Sequence, residues 1–80
     1  MDVKLAAQRT TDAHVSALSL ARDAELPKAT AAHLRYMNSR IQDGTVTGEK
    51  AHRWLGWMQA TVYLAGAATH DALQQINETS

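Results

Sequence analysis

Leu34-Arg35-Tyr36-Met37-Asn38-Ser39-Arg40-Ile41-Gln42-Asp43-Gly44-Thr45-Val46-Thr47-Gly48-Glu49-Lys50-Ala51-His52-Arg53-Trp54-Leu55-Gly56-Trp57-Met58 is the stretch that decides the fold. Before the linker, Leu26, Thr30, Leu34, Met37 and Ile41 recur at spacings of four, four, three and four, a single stripe on a helix. After it, Ala51, Trp54, Leu55, Met58, Thr61, Val62 and Ala65 share one face at ~100° per residue. Trp57 and Leu64 widen that apolar arc, and His52, Gly56, Gln59 and Tyr63 form the opposite side. Asp43-Gly44 closes the first of these helices, with Gly44 free to turn left-handed. Thr47 is an N-cap for the next, with Glu49 in its first turn. Two matching stripes on either side of a short linker predict an antiparallel hairpin of helices over 27–42 and 49–65. Its expected core is Leu34, Met37, Ile41, Leu55, Met58 and Val62.

Working outward, Pro27 disfavours helix at Leu26 and suits the first turn of the helix that follows. An earlier helical segment spans about Val3 to Glu25. Thr10-Thr11-Asp12 is its weak point, because these side chains compete for backbone hydrogen bonds. Thr11 or Asp12 as N-cap leaves residues 1–10 as a frayed arm. On the other side, Gly66 ends the hairpin, and Thr69 caps a short last helix anchored by Leu73 and Ile76. Asn77 to Ser80 are expected to be disordered. Alanine is abundant, phenylalanine is absent and strand formers never alternate for long. The fold class is therefore all-α: one domain over residues 1–80, a small bundle of three to four helices around the central antiparallel hairpin.

A chain of 80 residues buries only a modest core, and the absence of cysteine removes disulfides, thiolate zinc sites and cysteine catalysis. Small unstapled domains often gain stability from a second subunit or a partner, so a homo-oligomer or a protein complex is expected. No apolar run is long enough for a signal peptide or a membrane span, and the expectation is a cytoplasmic protein. Net charge is zero with histidines neutral, but it is unevenly distributed. It is −1 over residues 1–27, +3 over 28–53 and −2 over 54–80. That lacks the basic excess of a nucleic-acid binder and the acidic excess of a DNA mimic, while the middle can hold a small anion or an acidic protein patch.

His14, His33, His52 and His70 fall on separate helical segments with no His-x-x-x-His or His-x-x-Glu spacing, so neither a metal nor another cofactor is expected. The acidic side chains are scattered, and there is no nucleophile elbow or phosphate loop. The reading is non-enzymatic. A helix-turn-helix over 27–65 fits poorly, because the linker is long and the second helix carries Trp54, Leu55, Trp57 and Met58 where base-reading side chains belong. All four aromatics, Tyr36, Trp54, Trp57 and Tyr63, lie in the middle of the chain with Arg35, Arg40 and Arg53 among them. Tryptophan, tyrosine and arginine are the residues enriched at binding hot spots. Tyr36, Arg40, Arg53 and Trp57 border the core stripes and are the candidate partner- or ligand-binding set. Trp54 is assigned to the core, whereas Trp57 fits either core or contact.

Arg53-Trp54-Leu55-Gly56-Trp57-Met58-Gln59, followed by Gly66, Thr69 and Asn77, resembles a group of short phage- and prophage-encoded proteins. These carry an Arg-Trp-Leu-Gly-aromatic-x-Gln helix, a glycine and a short capped helix. The match covers residues 49–77 and departs at Ala60, where the pattern has a second glycine. More loosely, the hairpin is similar in plan to phage anti-CBASS and anti-Thoeris sponges, oligomeric helical hairpins that sequester cyclic nucleotides. Small cysteine-free phage proteins of this size also include anti-CRISPRs. The phage-type group has no assigned activity; the likeness in size and origin to anti-CRISPRs implies an inhibitor of a host protein or ribonucleoprotein complex, acting by steric occlusion in the host cytoplasm. Its alternative is a sponge for a cyclic nucleotide.

Overall fold

The computed structural model describes residues 1–18 and 26–80. Four helices carry it: α1 (Val3–His14), α2 (Ala31–Gln42), α3 (Gly48–Leu64) and α4 (His70–Thr79). Short 3₁₀ turns at Val15–Ala17 and Pro27–Ala29 follow α1 and precede α2. No strand occurs among the described residues. The expected extension of the first helix to Glu25 falls on residues 19–25, outside the described residues.

α1 starts earlier than its threonines suggest. Asp2 is extended, and its carboxylate accepts from the Leu5 amide at 3.1 Å, which satisfies one of the free N–H groups of the first turn. Thr10 and Thr11 are not caps. Their hydroxyls donate to the carbonyls of Ala6 and Ala7, each at 2.8 Å, so both side chains are satisfied inside the helix. Residues 1–10 are accordingly not a frayed arm: Ala6, Ala7 and Thr10 are fully buried.

The stripe on α2 is shorter than its spacing implies. Thr30 is extended and accepts from the His33 amide at 2.9 Å, so α2 begins at Ala31 and Pro27 belongs to the separate turn. Leu26 consequently lies exposed, off the core. Leu34, Met37 and Ile41 are buried as expected. Gly44, at φ 81°, reverses the chain, and buried Val46 pins the linker to the core. α3 returns antiparallel to α2: Tyr36 meets Trp54, and Lys28, earlier in the chain, meets Trp57. Ala51, Leu55, Met58 and Val62 face inward. α1 packs against all three other helices and covers both arms of the hairpin.

Polar seams join the helices where the apolar stripes stop. Asn38, buried on α2, donates to Gln8 on α1 and accepts from Gln42, which also donates to the Lys4 carbonyl. Gln59 projects from the side of α3 away from α2's stripe, and pairs reciprocally with Asn77 at 2.8 and 3.0 Å. The C-terminal tail is therefore ordered rather than disordered. α4 runs to Thr79, and the Arg9 guanidinium reaches Thr79 Oγ1 at 2.6 Å, Ser80 Oγ at 2.9 Å and the Ile76 carbonyl at 3.3 Å. The Asp2 amide donates to the Ser80 carbonyl at 2.8 Å.

Candidate partner-binding face

The face is built on the outer edge of the hairpin. On α2, helical spacing places His33, Tyr36 and Arg40 beside the buried Leu34–Met37–Ile41 stripe; on α3 it places Lys50, Trp54 and Trp57 beside Leu55 and Met58. The two rows meet as rings. Tyr36 and Trp54 lie with centroids 6.4 Å apart at 41°, and His33 and Tyr36 at 6.0 Å and 31°. The Arg40 guanidinium sits over the Tyr36 ring at 5.9 Å, and the Lys50 ammonium over Trp54 at 5.5 Å, both within cation–π range.

Trp57 is fixed at one edge and open on the other. Its indole N–H donates to the Lys28 carbonyl at 3.0 Å, yet the residue remains 49% exposed. Tyr36 is 53% exposed. Trp54, assigned to the core from sequence, is instead only partly buried: it packs against the core and lines the groove with its open side. A groove of about 530 Å³ opens between the arms, lined by Lys28, His33, Tyr36, Met37, Trp54 and Trp57. Across the Trp57–Lys28 bridge a second groove of about 430 Å³ runs past Leu26, Ala60 and Leu64. Trp57 is the ridge between them.

Three of the four candidate residues are thus drawn together. Tyr36 and Arg40 stack, and Trp57 shares a groove with Tyr36. Arg40 is also committed to Asp43, with Nη2 2.6 Å from Oδ2. Arg53 is exposed on α3 and makes no hydrogen bond, ion pair or ring contact among the described residues. Lys28, Trp54 and Lys50 join this face beyond the residues that helical spacing marks out. Lys50 and Trp54 are separated by one helical turn, a signal available in the sequence. Lys28 is placed by the turn at Pro27–Ala29, which no periodicity reveals.

The electrostatics follow from this packing. Partial burial, and then the Lys28 ammonium, hold His33 below its ordinary value of 6.5. Asp43 is held below the usual carboxylate range, first by hydrogen bonds from Thr45 and then by Arg40 and Lys4. No protein-family model matches the chain, and neither does any curated protein or solved structure. Geometry and chemistry are the grounds for its function. No cluster of three histidine or carboxylate side chains that could hold a metal ion forms among the described residues. No described helix is long and apolar enough to cross a membrane.

Proposed function

We propose that the chain is a non-enzymatic interaction protein, phage-encoded, that inhibits a host machine by covering part of its surface. The target class is a defence complex such as a CRISPR ribonucleoprotein. One observation carries the reading: Tyr36 and Trp57 each leave about half their surface in water while helix packing and a hydrogen bond hold them in place. Large aromatic side chains that are preorganised and exposed can release water on docking with little loss of conformational entropy. Tyr36, Arg40, Arg53 and Trp57 are the contact set, and Arg40 and Arg53 offer planar donors to carboxylates or phosphates. The phage origin rests on the Arg53–Gln59 resemblance, and the class of target on the chain's small, cysteine-free make-up together with that origin. Self-association through the apolar side of α3 belongs to the same proposal.

The test is expression in a host with active CRISPR interference, scored by plasmid survival or plaque formation. The wild-type chain should relieve interference. Trp57→Ala should not, while retaining its helical circular-dichroism spectrum. Unrelieved interference by the well-expressed wild-type chain removes that target class, and a fully active Trp57→Ala variant removes the face.

A second reading, an oligomeric sponge for a cyclic nucleotide, draws on the same groove, where rings lie beside the Lys28 ammonium. A panel of cyclic nucleotides separates the two. A sponge must show a large thermal shift with one of them, because a tight ligand stabilises by mass action.

A further inference from the structure

The groove between the hairpin arms is apolar at its floor and cationic at its rim. Lys28 stands at the Trp57 side, Arg40 over Tyr36 and Lys50 over Trp54. No described acidic side chain lines it. Residues 28–53 carry a net +3 and contain only two acids, Asp43 and Glu49. Asp43 is already engaged by Arg40 and Thr45. Arg53 adds a further exposed cation one turn of α3 before Trp57.

We propose that this groove is the docking slot for an acidic segment of the partner protein, with one large apolar side chain seated among Tyr36, Trp54 and Trp57 and flanking carboxylates meeting Lys28, Lys50 and Arg53. The proposal rests on the interaction-protein reading and names the chemistry of the partner at that same face.

The choice of an acidic polypeptide over nucleic acid follows from three features. The Tyr36 and Trp54 rings are tilted at 41° and packed on each other, so they do not form the parallel slot that sandwiches a base. The Trp57 N–H is already donated to Lys28. The rest of the chain, net −1 before residue 28 and −2 after residue 53, cancels the basic middle. Long-range attraction to a polyanion is then weak, whereas a short acidic segment meets only the local cations.

The experiment is a selection of random peptides displayed against the immobilised full-length chain. Each enriched peptide is then synthesised and titrated by tryptophan fluorescence. Enriched sequences should pair an aromatic or large aliphatic residue with aspartates or glutamates. Their affinity should fall as salt is raised, because rim charges are screened. Lys28→Glu and Lys50→Glu should each weaken binding about tenfold, the effect of one significant interface contact. Gln75→Glu, on α4, should change nothing. Trp57→Ala should abolish binding, with Trp57→Phe as the folded comparison should the alanine variant unfold. Enrichment of sequences without acidic residues, recovery of no binder, or indifference to both lysine reversals in folded protein overturns the proposal. A thermal shift with oligothymidine or a cyclic nucleotide that is lost in the same variants also overturns it and assigns the groove to nucleotides. Loss of peptide binding specificity alone leaves the interaction reading standing, provided that Trp57→Ala still fails to relieve interference.

Discussion

Trp57 shows how one side chain can tie two elements together and still stand open to solvent. Its ring lines the groove that Met37 also borders, and its N–H reaches the Lys28 carbonyl at 3.0 Å, tying α3 to the turn before α2. Trp57→Phe keeps most of the ring and loses that bond. A net hydrogen bond contributes about 0.5–1.5 kcal/mol, and this carbonyl can turn to water, so the expected loss in a urea titration lies at the low end. Binding by Trp57→Phe should fall less than binding by Trp57→Ala. His33 makes a second prediction. Burial and Lys28 lower its folded pKa below 6.5, so the folded chain takes up fewer protons than the unfolded one in the window beneath that value. Stability contributed by neutral His33 is fully present above 6.5 and is lost as pH falls through the lowered value. Between about pH 7 and about pH 5 the wild-type melting temperature should therefore drop more than that of His33→Gln. Equal pH dependence in the two proteins refutes the assignment. The effect is small, since the ring is partly open to solvent.

α1 is where helix capping overrides local propensity. Asp2 starts the helix, and Ala6 and Ala7, with side chains of a single methyl, let it pack tightly against its neighbours. Asp2→Ala should cost about 0.5–2 kcal/mol, the usual range for losing an N-cap. Arg9→Ala should speed hydrogen exchange at the last turn of α4, because it removes the side chain that reaches Ile76, Thr79 and Ser80. Unchanged protection there rules out the clamp. The contrast with α2 and α3 explains what could be read from sequence. Those helices declare themselves through stripes, a Gly44 turn and a Gly66 stop, and the structure keeps Leu34, Met37, Ile41, Leu55, Met58 and Val62 buried. Leu73 and Ile76 likewise announce α4, but the first residues of α1 and the tail from Asn77 to Ser80 lie outside such stripes. What orders them is a set of long-range polar pairs, Gln59 with Asn77 and Arg9 with α4, between residues 18 and about seventy positions apart. Hydrophobic periodicity does not register such pairs. The candidate face was legible to a similar degree. Tyr36, Arg40 and Trp57 follow from helical spacing, as does His33 one turn before Tyr36, whereas Lys28 enters only through the turn at Pro27–Ala29.

The Cα envelope measures 32 × 28 × 17 Å. Helices pack about 8–10 Å apart, so the thin dimension holds roughly two layers and every helix keeps an outer side in water. On the C-terminal half of α3 that outer side is largely apolar. Leu64 is 76% exposed, Trp57 and Tyr63 are each 49% exposed, and Leu26 adds a further apolar edge. Monomeric proteins seldom leave large contiguous apolar patches uncovered. The two grooves flanking Trp57 differ in a way that divides the labour. The one past Leu26, Ala60 and Leu64 is almost wholly apolar, and the one at Tyr36 is rimmed by cations. Like charges on identical copies repel across a two-fold axis, so the proposed self-association is expected at the apolar groove and the proposed acidic partner at the other. Light scattering should therefore report a homodimer at micromolar concentration. Leu64→Glu should convert it to a folded monomer, because it places two carboxylates in a desolvated contact. Lys50→Glu should leave the dimer intact while weakening the acidic partner. A wild-type chain that stays monomeric at high concentration refutes the dimer. A dimer that Lys50→Glu dissociates and Leu64→Glu spares places it on the cationic groove, and the two surfaces then compete instead of acting side by side.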